Sequence, residues 1–177
     1  MDKHDRQVVH SRKATGGHDF WQTPETVLAL VRQLHPRGYN KIDLDPCGGD
    51  GDSVQAIASI KPPQDGLAAT WNGSGLVFVN PPYSNIRAWA RKAVESRGNH
   101  QDQIILLCPA RTDTRWWHES AWTASAICFW KSQVKFYDPI EKKTGPAPFP
   151  SALLYWGYQM AEFKRVFSGH GYTVVFP

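Results

Sequence analysis

The sequence lacks a long apolar run and a strong excess of charge of either sign. No stretch of the 177 residues approaches the roughly 18 uncharged apolar residues that a membrane-spanning helix needs, and the first residues hold no apolar signal core. We therefore expect a cytoplasmic protein without a membrane partner. A chain of this length can bury a sizeable core, so its folding requires no disulfide or metal.

Paired cysteines and paired histidines are also missing. Cys47, Cys108 and Cys128 include no C-x-x-C pair, which argues against a disulfide framework or a thiolate zinc site. The seven histidines show none of the spacings typical of zinc enzymes, so the sequence predicts no metal site. What is abundant is tryptophan: eight rings can fill a core or offer flat surfaces on which nucleobases stack. The net charge of +4 is only a mild indication of nucleic acid.

We divide the chain into a flexible polar arm, residues 1–18, and a single domain, residues 19–177, because the charged and glycine-ended start contains no apolar periodicity. In the domain, strands alternate with helices at first and then follow one another closely. This order predicts an α/β fold with a mostly parallel sheet and an antiparallel C-terminal hairpin.

Thr23 is the expected N-cap of the first helix, with Pro24 as its first residue. The other predicted helices are 52–60, 86–96 and 114–123; the predicted strands are 41–45, 76–79, 103–108, 126–130, 134–137, 152–156 and 172–176, with a loop over 138–150.

A glycine-rich turn follows the strand that ends at Asp45. It spans residues 46–51 and lies where ligands bind in open α/β sheets, beyond the carboxyl ends of the strands. A dinucleotide fingerprint is excluded because Val54 stands where its third glycine belongs, and a calcium loop fails at Cys47 and Val54. The Gly-Lys-Ser/Thr of a phosphate-binding loop is absent as well. An ordinary glycine turn remains the alternative to a ligand-binding loop.

The most specific motif is Asn80-Pro81-Pro82-Tyr83, which ends a buried apolar run. An amino group conjugated to an aromatic ring is a poor nucleophile, because its lone pair is delocalised into the ring. Acceptors that hold its two hydrogens make it more tetrahedral, and the Asn80 side-chain oxygen and the Pro81 carbonyl can do so. The tandem prolines remove competing N–H donors and stiffen the segment. Tyr83 supplies a face on which a base taken out of a duplex can stack.

These segments, in this order, resemble the phage and prophage Dam-type DNA N-6-adenine methyltransferases over about residues 20 to 156. That resemblance implies a Rossmann-like class I methyltransferase fold and S-adenosylmethionine as cofactor. The matching pieces are Trp21-Gln22-Thr23-Pro24, Asp45-Pro46-Cys47, Asp65-Gly66-Leu67 with Trp71, residues 78–84 around Asn80, residues 109–114 with Trp117, Val134-Lys135-Phe136 and residues 147–151.

The resemblance also implies roles for individual residues. Asn80, Pro81, Pro82 and Tyr83 would bind the target adenine, and Asp65 would accept from the amino group of the cofactor's own adenine. The expected cofactor-binding residues are Trp21, Thr23, Pro24, Asp45, Pro46, Cys47, Gly49, Gly51 and Asp65. The family's usual acid for the ribose hydroxyls is not evident, and Asp50 or Asp52 is the candidate substitute.

The second half of the chain is basic and aromatic, which suits a duplex DNA partner whose target adenine is flipped out. Two alternatives stay open: the same cofactor with a protein glutamine or an RNA base as acceptor, and an inactive DNA-binding relative. Structural roles compete for several of the candidates, since Arg111 and Asp113 could pair and Lys142-Lys143 could be a solvated loop. The expected DNA-binding residues are Arg111, Arg115, Trp116, Lys135, Lys142 and Lys143.

Overall fold

The structure, a computed structural model, describes residue 19 and residues 21–49, 53–97 and 102–176. The arm predicted for residues 1–18 lies outside the described residues, as do Asp50, Gly51 and Asp52. None of the helices in the described ranges is long and apolar enough to cross a membrane.

Four α-helices and nine strands make up the described part of the chain. The helices are α1 (Glu25–Arg32), α2 (Ile86–Ser96), α3 (Arg115–Ala121) and α4 (Met160–Phe167), with a 3₁₀ turn at Tyr83–Asn85. The strands are β1 (Leu44–Asp45), β2 (Ala58–Ser59), β3 (Leu76–Val79), β4 (Gln103–Pro109), β5 (Ala126–Trp130), β6 (Lys135–Asp138), β7 (Lys143–Pro146), β8 (Ser151–Trp156) and β9 (Gly171–Val175).

Seven of these strands form one mixed sheet in the order β2-β1-β3-β4-β8-β5-β9. β1 pairs in parallel with β2 and β3, and β3 pairs in parallel with β4. β8 lies antiparallel between β4 and β5, and β9 is antiparallel to β5 at the edge. β6 and β7 form a separate antiparallel hairpin. The predicted α/β architecture with a largely parallel sheet and an antiparallel hairpin is therefore confirmed.

The sheet has a hydrophobic layer on each face, because successive side chains of a strand point to opposite sides. In β3, Phe78 packs into the layer that contains α1 and α4, whereas Val77 and Val79 pack into the layer that contains α2 and α3. All four residues of β3 and all seven of β4 are buried. Near-continuous apolar strands of this kind need helices on both faces, which is what the fold supplies.

The helix predicted over 52–60 is wrong. Residues 58–59 form β2 instead, because the backbone N–H of Ala58 bonds the carbonyl of Asp43 and that of Ile60 bonds the carbonyl of Asp45. This pairing joins two segments that are distant in the sequence, so the local periodicity of residues 52–60 does not predict it. The predicted capping is wrong as well: Pro24 is the N-cap of α1, and the Thr23 side chain makes no capping bond.

Besides β2, two further elements were not predicted. α4 buries Phe163, Val166 and Phe167 against the sheet. β7 lies inside the segment 138–150 that was expected to be a loop, and it is exposed along most of its length.

Candidate active site

The two chemistry-bearing segments meet at the carboxyl edge of the sheet. β1 ends at Asp45 and β3 at Val79, and because the two strands are parallel neighbours, Asp45 and Asn80 emerge from the same edge. Asp45 is buried, 6% exposed, and its Oδ1 accepts from the backbone N–H of Cys47 at 3.1 Å and from the thiol at 3.5 Å. The loop after β1 is thus folded around its own carboxylate.

The glycines of this loop have different surroundings. A Cβ on Gly48 would lie 2.0 Å from Ser59 Oγ, so close packing against β2 requires glycine there. A Cβ on Gly49 would meet none of the described residues within 4 Å. Gly49 is therefore unobstructed by the described residues at the carboxyl edge, as a backbone that approaches a ligand should be, whereas Gly48 serves the packing of the loop.

Two hydrogen bonds orient the side-chain amide of Asn80. Its Nδ2 donates to the backbone carbonyl of Trp21 at 2.9 Å, and its Oδ1 accepts from the Tyr83 hydroxyl at 2.9 Å. An amide rotated by half a turn would place its oxygen against the Trp21 carbonyl oxygen, two acceptors with no hydrogen between them. These two hydrogen bonds therefore fix the position of Oδ1, which has a second lone pair that can accept from another donor.

The Cys47 thiol connects the two segments. It donates to Asp45 Oδ1, and the backbone of Asn80 is close enough to offset part of the rise in its pKa. Burial, with the Asp45 carboxylate adding to it, raises the pKa of the Cys47 thiol well above its usual value. Burial likewise raises the pKa of Tyr83, with the Cys108 and Cys47 thiols as lesser causes. Both groups stay protonated and act as hydrogen-bond donors, not as bases.

Residues 21–24 form a strap beside this site. The backbone of Gln22 pairs with that of Tyr137 in both directions, at 2.9 and 3.1 Å, which ties the strap to β6. The Trp21 ring packs on Phe136 with a centroid distance of 6.4 Å. Thr23 is buried, and its hydroxyl has no hydrogen-bond partner among the described residues.

An aromatic recess opens between the strap, the Asn80 segment and the loop after β7. The Tyr83 ring contacts Phe149 edge-on, with centroids 5.4 Å apart. Sequence reasoning gave no role to Phe136 or Phe149; the available signal was their position in otherwise polar or proline-rich segments. The recess is lined by Trp21, Tyr83, Phe136, Ala147, Pro148 and Phe149.

Asp65 and Pro46 belong to adjoining loops. A Cβ on Gly66 would lie 1.8 Å from the Pro46 carbonyl oxygen, so the two loops touch. Asp65 itself is exposed, and its Oδ1 accepts from the backbone N–H of Leu67 at 2.8 Å. The structure therefore brings Asp65 to the side of the Asp45 loop, and its role towards the cofactor stays a prediction.

The predicted DNA-binding residues divide into two groups. Lys135, Lys142 and Lys143 are exposed on the β6–β7 hairpin, next to the strap. Arg111 and Arg115 are exposed near the end of β4, and Arg115 pairs with Glu119 at 2.6 Å. Trp116 is different, because it is only 7% exposed and packs edge-on against Trp117. A base could stack on Trp116 only if the ring left the core.

The fold and the site together describe an α/β domain whose polar groups converge beyond the carboxyl ends of two parallel strands. Comparison with known sequences identifies the family: the profile described as "DNA N-6-adenine-methyltransferase (Dam)" matches residues 10–166, and the chain belongs to this family.

Two curated relatives carry the name DNA N-6-adenine-methyltransferase. The protein of Escherichia phage T1 is 31% identical over 109 residues, which is 62% of this chain and 43% of the relative. The protein of Haemophilus phage HP1 (strain HP1c1) is 29% identical over 140 residues, 78% of this chain and 76% of the relative. The chain thus spans less than half of the first relative and about three quarters of the second. No solved structure matches.

Proposed function

We propose that this chain transfers the methyl group of S-adenosylmethionine to the exocyclic amino group of adenine in DNA. The observation that carries the proposal is the Asn80 amide, whose orientation the Trp21 carbonyl and the Tyr83 hydroxyl hold in place. An acceptor held in advance at the reacting amino group stabilises the transition state without reorganisation. The family membership supports the same reaction. We assign the fold to the Rossmann-like class I methyltransferases on this basis.

The residues at the carboxyl edge fit the cofactor. Asp45 ends β1, Gly49 is unobstructed by the described residues, and the buried Thr23 hydroxyl has no partner among them. A buried hydroxyl without a partner is costly, and a ligand group that bonded to the Thr23 hydroxyl would remove this cost. Trp21 and Pro24 would close over the methionine end of the cofactor, next to Pro46 and Cys47.

Asp50 and Asp52, the candidates from sequence for the ribose hydroxyls, lie outside the described residues, and β2 offers a further candidate. Ser59 ends β2, the strand next to β1, and its buried hydroxyl also has no partner among the described residues. Because the two strands are parallel, Ser59 reaches the same edge as Asp45. We assign Ser59 to the ribose hydroxyls and keep Asp65 as the acceptor for the cofactor's adenine amino group.

The protein's contribution to the reaction is position and polarisation. Bound S-adenosylmethionine supplies an activated methyl group on a sulfonium, so no general acid is needed for the departing sulfur. Asn80 Oδ1 accepts one hydrogen of the target amino group through its second lone pair, and the Pro81 carbonyl accepts the other. Tyr83, with Phe149 behind it, stacks on the target ring, and Pro82 keeps the segment rigid.

The test is transfer of labelled methyl groups from S-adenosylmethionine to duplex DNA, protein and RNA side by side. We expect label in DNA and 6-methyladenine after nuclease digestion. Label confined to protein or RNA would move the activity to a glutamine or RNA acceptor, and no label with intact DNA binding would mark an inactive relative. Modification-sensitive sequencing of plasmid DNA from expressing cells then locates the methylated adenine.

A further inference from the structure

Three strands in the described part of the chain are outermost in their sheets: β2 and β9 in the seven-stranded sheet, and β7 in the hairpin. The outer side of such a strand offers backbone N–H and C=O groups to another chain, and proteins protect it by short length, lysine or proline. β2 has only two residues, and β7 contains Lys143 and Pro146. β9 has five residues, Gly171–Val175, without a charge or a proline. It is the unprotected strand of the three.

The hydrogen bonds to β5 show which backbone groups of β9 face outward. Just beyond the strand, the N–H of Phe176 bonds the carbonyl of Ser125 at 2.9 Å. At the other end, the N–H of Lys131 bonds the carbonyl of His170 at 2.8 Å. Residues of an antiparallel strand alternate between those that bond the neighbouring strand and those that do not, so the even-numbered residues bond β5. The outward-facing N–H and C=O groups therefore belong to Gly171, Thr173 and Val175.

These outward groups match a second copy of the same strand. If two copies of β9 run antiparallel about a twofold axis at Thr173, Thr173 lies opposite its own equivalent. Gly171 of each copy then lies opposite Val175 of the other. All three pairs can exchange two hydrogen bonds each, since their N–H and C=O groups point toward each other. An interface that uses the same patch on both copies is the usual form of a symmetric dimer.

The side chains of β9 fit this same register. Tyr172 lies opposite Val174 of the second copy, in a pair without backbone hydrogen bonds, where side chains are closest. Tyr172 is 76% exposed, the highest value for a large hydrophobic side chain among the described residues, and Val174 is half-buried. Aromatic and β-branched side chains stabilise antiparallel strands when they pair in this way, and the twofold axis repeats the pair. Gly171 leaves room for the exposed Val175 side chain opposite it.

Charge favours the antiparallel arrangement of two identical strands. The exposed side chains of His170 and Lys131 lie at one end of β9, and the uncharged Ser125 and Phe176 lie at the other. Antiparallel pairing places His170 of one copy opposite Phe176 of the other, so the basic ends stay apart. A parallel pairing would bring them together, which is unfavourable. Because β9 itself is uncharged, it selects neither an acidic nor a basic partner, and the complementary strand is its own copy.

We propose that two copies of this chain associate through β9, so that the seven-stranded sheet continues across a twofold axis at Thr173. The proposal goes beyond the proposed function. β9 is four strands from β3 in the sheet, about 19 Å at the usual strand spacing, so the interface does not include the Asn80 segment. Its test therefore requires no methyl transfer, and its failure is distinct from a failure of the proposed function.

The first experiment measures the mass of the full chain by sedimentation from about 1 to about 200 μM, a range suited to a small interface. We expect the mass to rise from the 20.0 kDa of one chain toward twice that value. Thr173→Pro removes an outward N–H and no bond to β5, so it should raise the dimer Kd at least about tenfold. Thr173→Val keeps that N–H and, as the matched control, should associate like the wild type.

Tyr172→Lys tests the same interface without a change to the backbone, in case Thr173→Pro lowers the thermal stability of the fold. A lysine removes the pair with Val174 and adds the charge that protects outer strands, so association should weaken. Tyr39→Lys is its control, because Tyr39 is 60% exposed but precedes β1, five strands from β9. This control should associate like the wild type.

The second experiment tests the register by mixing Tyr172→Cys with Val174→Cys under mild oxidation. Opposite Cα atoms would be about 4.5 Å apart, within reach of a disulfide, whereas equivalent cysteines in either variant alone would be about 8 Å apart. We expect a covalent dimer in the mixture only, with the wild type reporting the background from its three free cysteines. A wild type that stays at 20.0 kDa, a Thr173→Pro variant that associates normally, or a mixture without additional cross-linking would each overturn the proposal.

Discussion

The two edges of the sheet carry similar residues and use them differently. The amino edge holds the larger opening, a groove of about 710 Å³ bordered by Tyr39, Tyr158 and Lys41. Its carboxylates are engaged within the fold: Asp43 accepts from the backbone N–H of Leu76 at 2.8 Å, and Asp102 accepts from those of Gly73 and Gly75.

The carboxyl edge has a smaller recess and different chemistry. There the Asn80 amide is oriented with a lone pair to spare, and the Thr23 and Ser59 hydroxyls are buried without partners among the described residues. On the proposed function, a pre-oriented hydrogen-bonding group with capacity to spare marks the edge that binds the ligands, and cavity volume does not. Substitutions at the carboxyl edge should change activity, whereas those at the amino edge should change stability.

The largest effect is expected for Asn80→Ala. Loss of a pre-oriented acceptor at the reacting amino group should lower kcat by about 10²- to 10³-fold. Binding of S-adenosylmethionine, measured by calorimetry, should remain. A variant that turns over near the wild-type rate would contradict the polarisation mechanism, and one that no longer binds the cofactor would show that Asn80 supports the loop after β1 instead.

Asp43→Ala tests the amino edge. It removes the acceptor of the Leu76 N–H and the partner of the His35 Nε2, which lies 2.9 Å from Asp43 Oδ2. We expect the free energy of unfolding to fall by about 2 kcal/mol in urea titrations, with kcat per folded molecule unchanged. Asp43→Asn keeps an acceptor for Leu76 and is the matched control. A loss of kcat without a loss of stability would contradict the assignment of catalysis to the carboxyl edge.

Tyr83→Phe separates stacking from orientation. The ring and its contact with Phe149 remain, while the hydroxyl that bonds Asn80 is lost. One neutral hydrogen bond is worth about 1 kcal/mol, so kcat should fall about fivefold. The cofactor Kd should not change. A wild-type rate would show that the Trp21 carbonyl alone suffices to orient the amide.

Thr23→Val should have an effect no larger than that of Tyr83→Phe, and on cofactor affinity instead of kcat. It replaces a buried hydroxyl that has no partner among the described residues by a methyl group of similar shape. Without the cofactor, thermal unfolding should occur at an equal or slightly higher temperature, since an unsatisfied polar group disappears. Calorimetry should show cofactor affinity lowered by about fivefold, the value of one hydrogen bond. Unchanged affinity would remove Thr23 from the cofactor site.

Much of the fold was predictable because its strongest signals are local. The buried runs of β3 and β5 and the helical pattern of α2 were located with the bounds that the structure has. The pattern of α4 is also present in the sequence, with Phe163, Val166 and Phe167 on one side of the helix, so local periodicity is sufficient to predict this element too.

β2 could not be predicted from local pattern. It contains two residues, one exposed and one half-buried, and it exists because the backbone of β1 offers matching hydrogen-bond groups. Because residues 52–60 were predicted to be a helix, Ser59 was not considered as a residue at the carboxyl edge of the sheet. The wrong secondary structure therefore left Ser59 out of the predicted site.

The sequence by itself determined the chemistry of this protein: an Asn-Pro-Pro-Tyr segment after one buried strand, an acidic glycine-rich turn after another, and the alternation that makes the sheet largely parallel. Tertiary structure decided which groups are available to a ligand. Hydrogen-bond and packing partners come from distant parts of the chain, so only the folded state shows that the Trp21 carbonyl orients Asn80 and that Trp116 is buried.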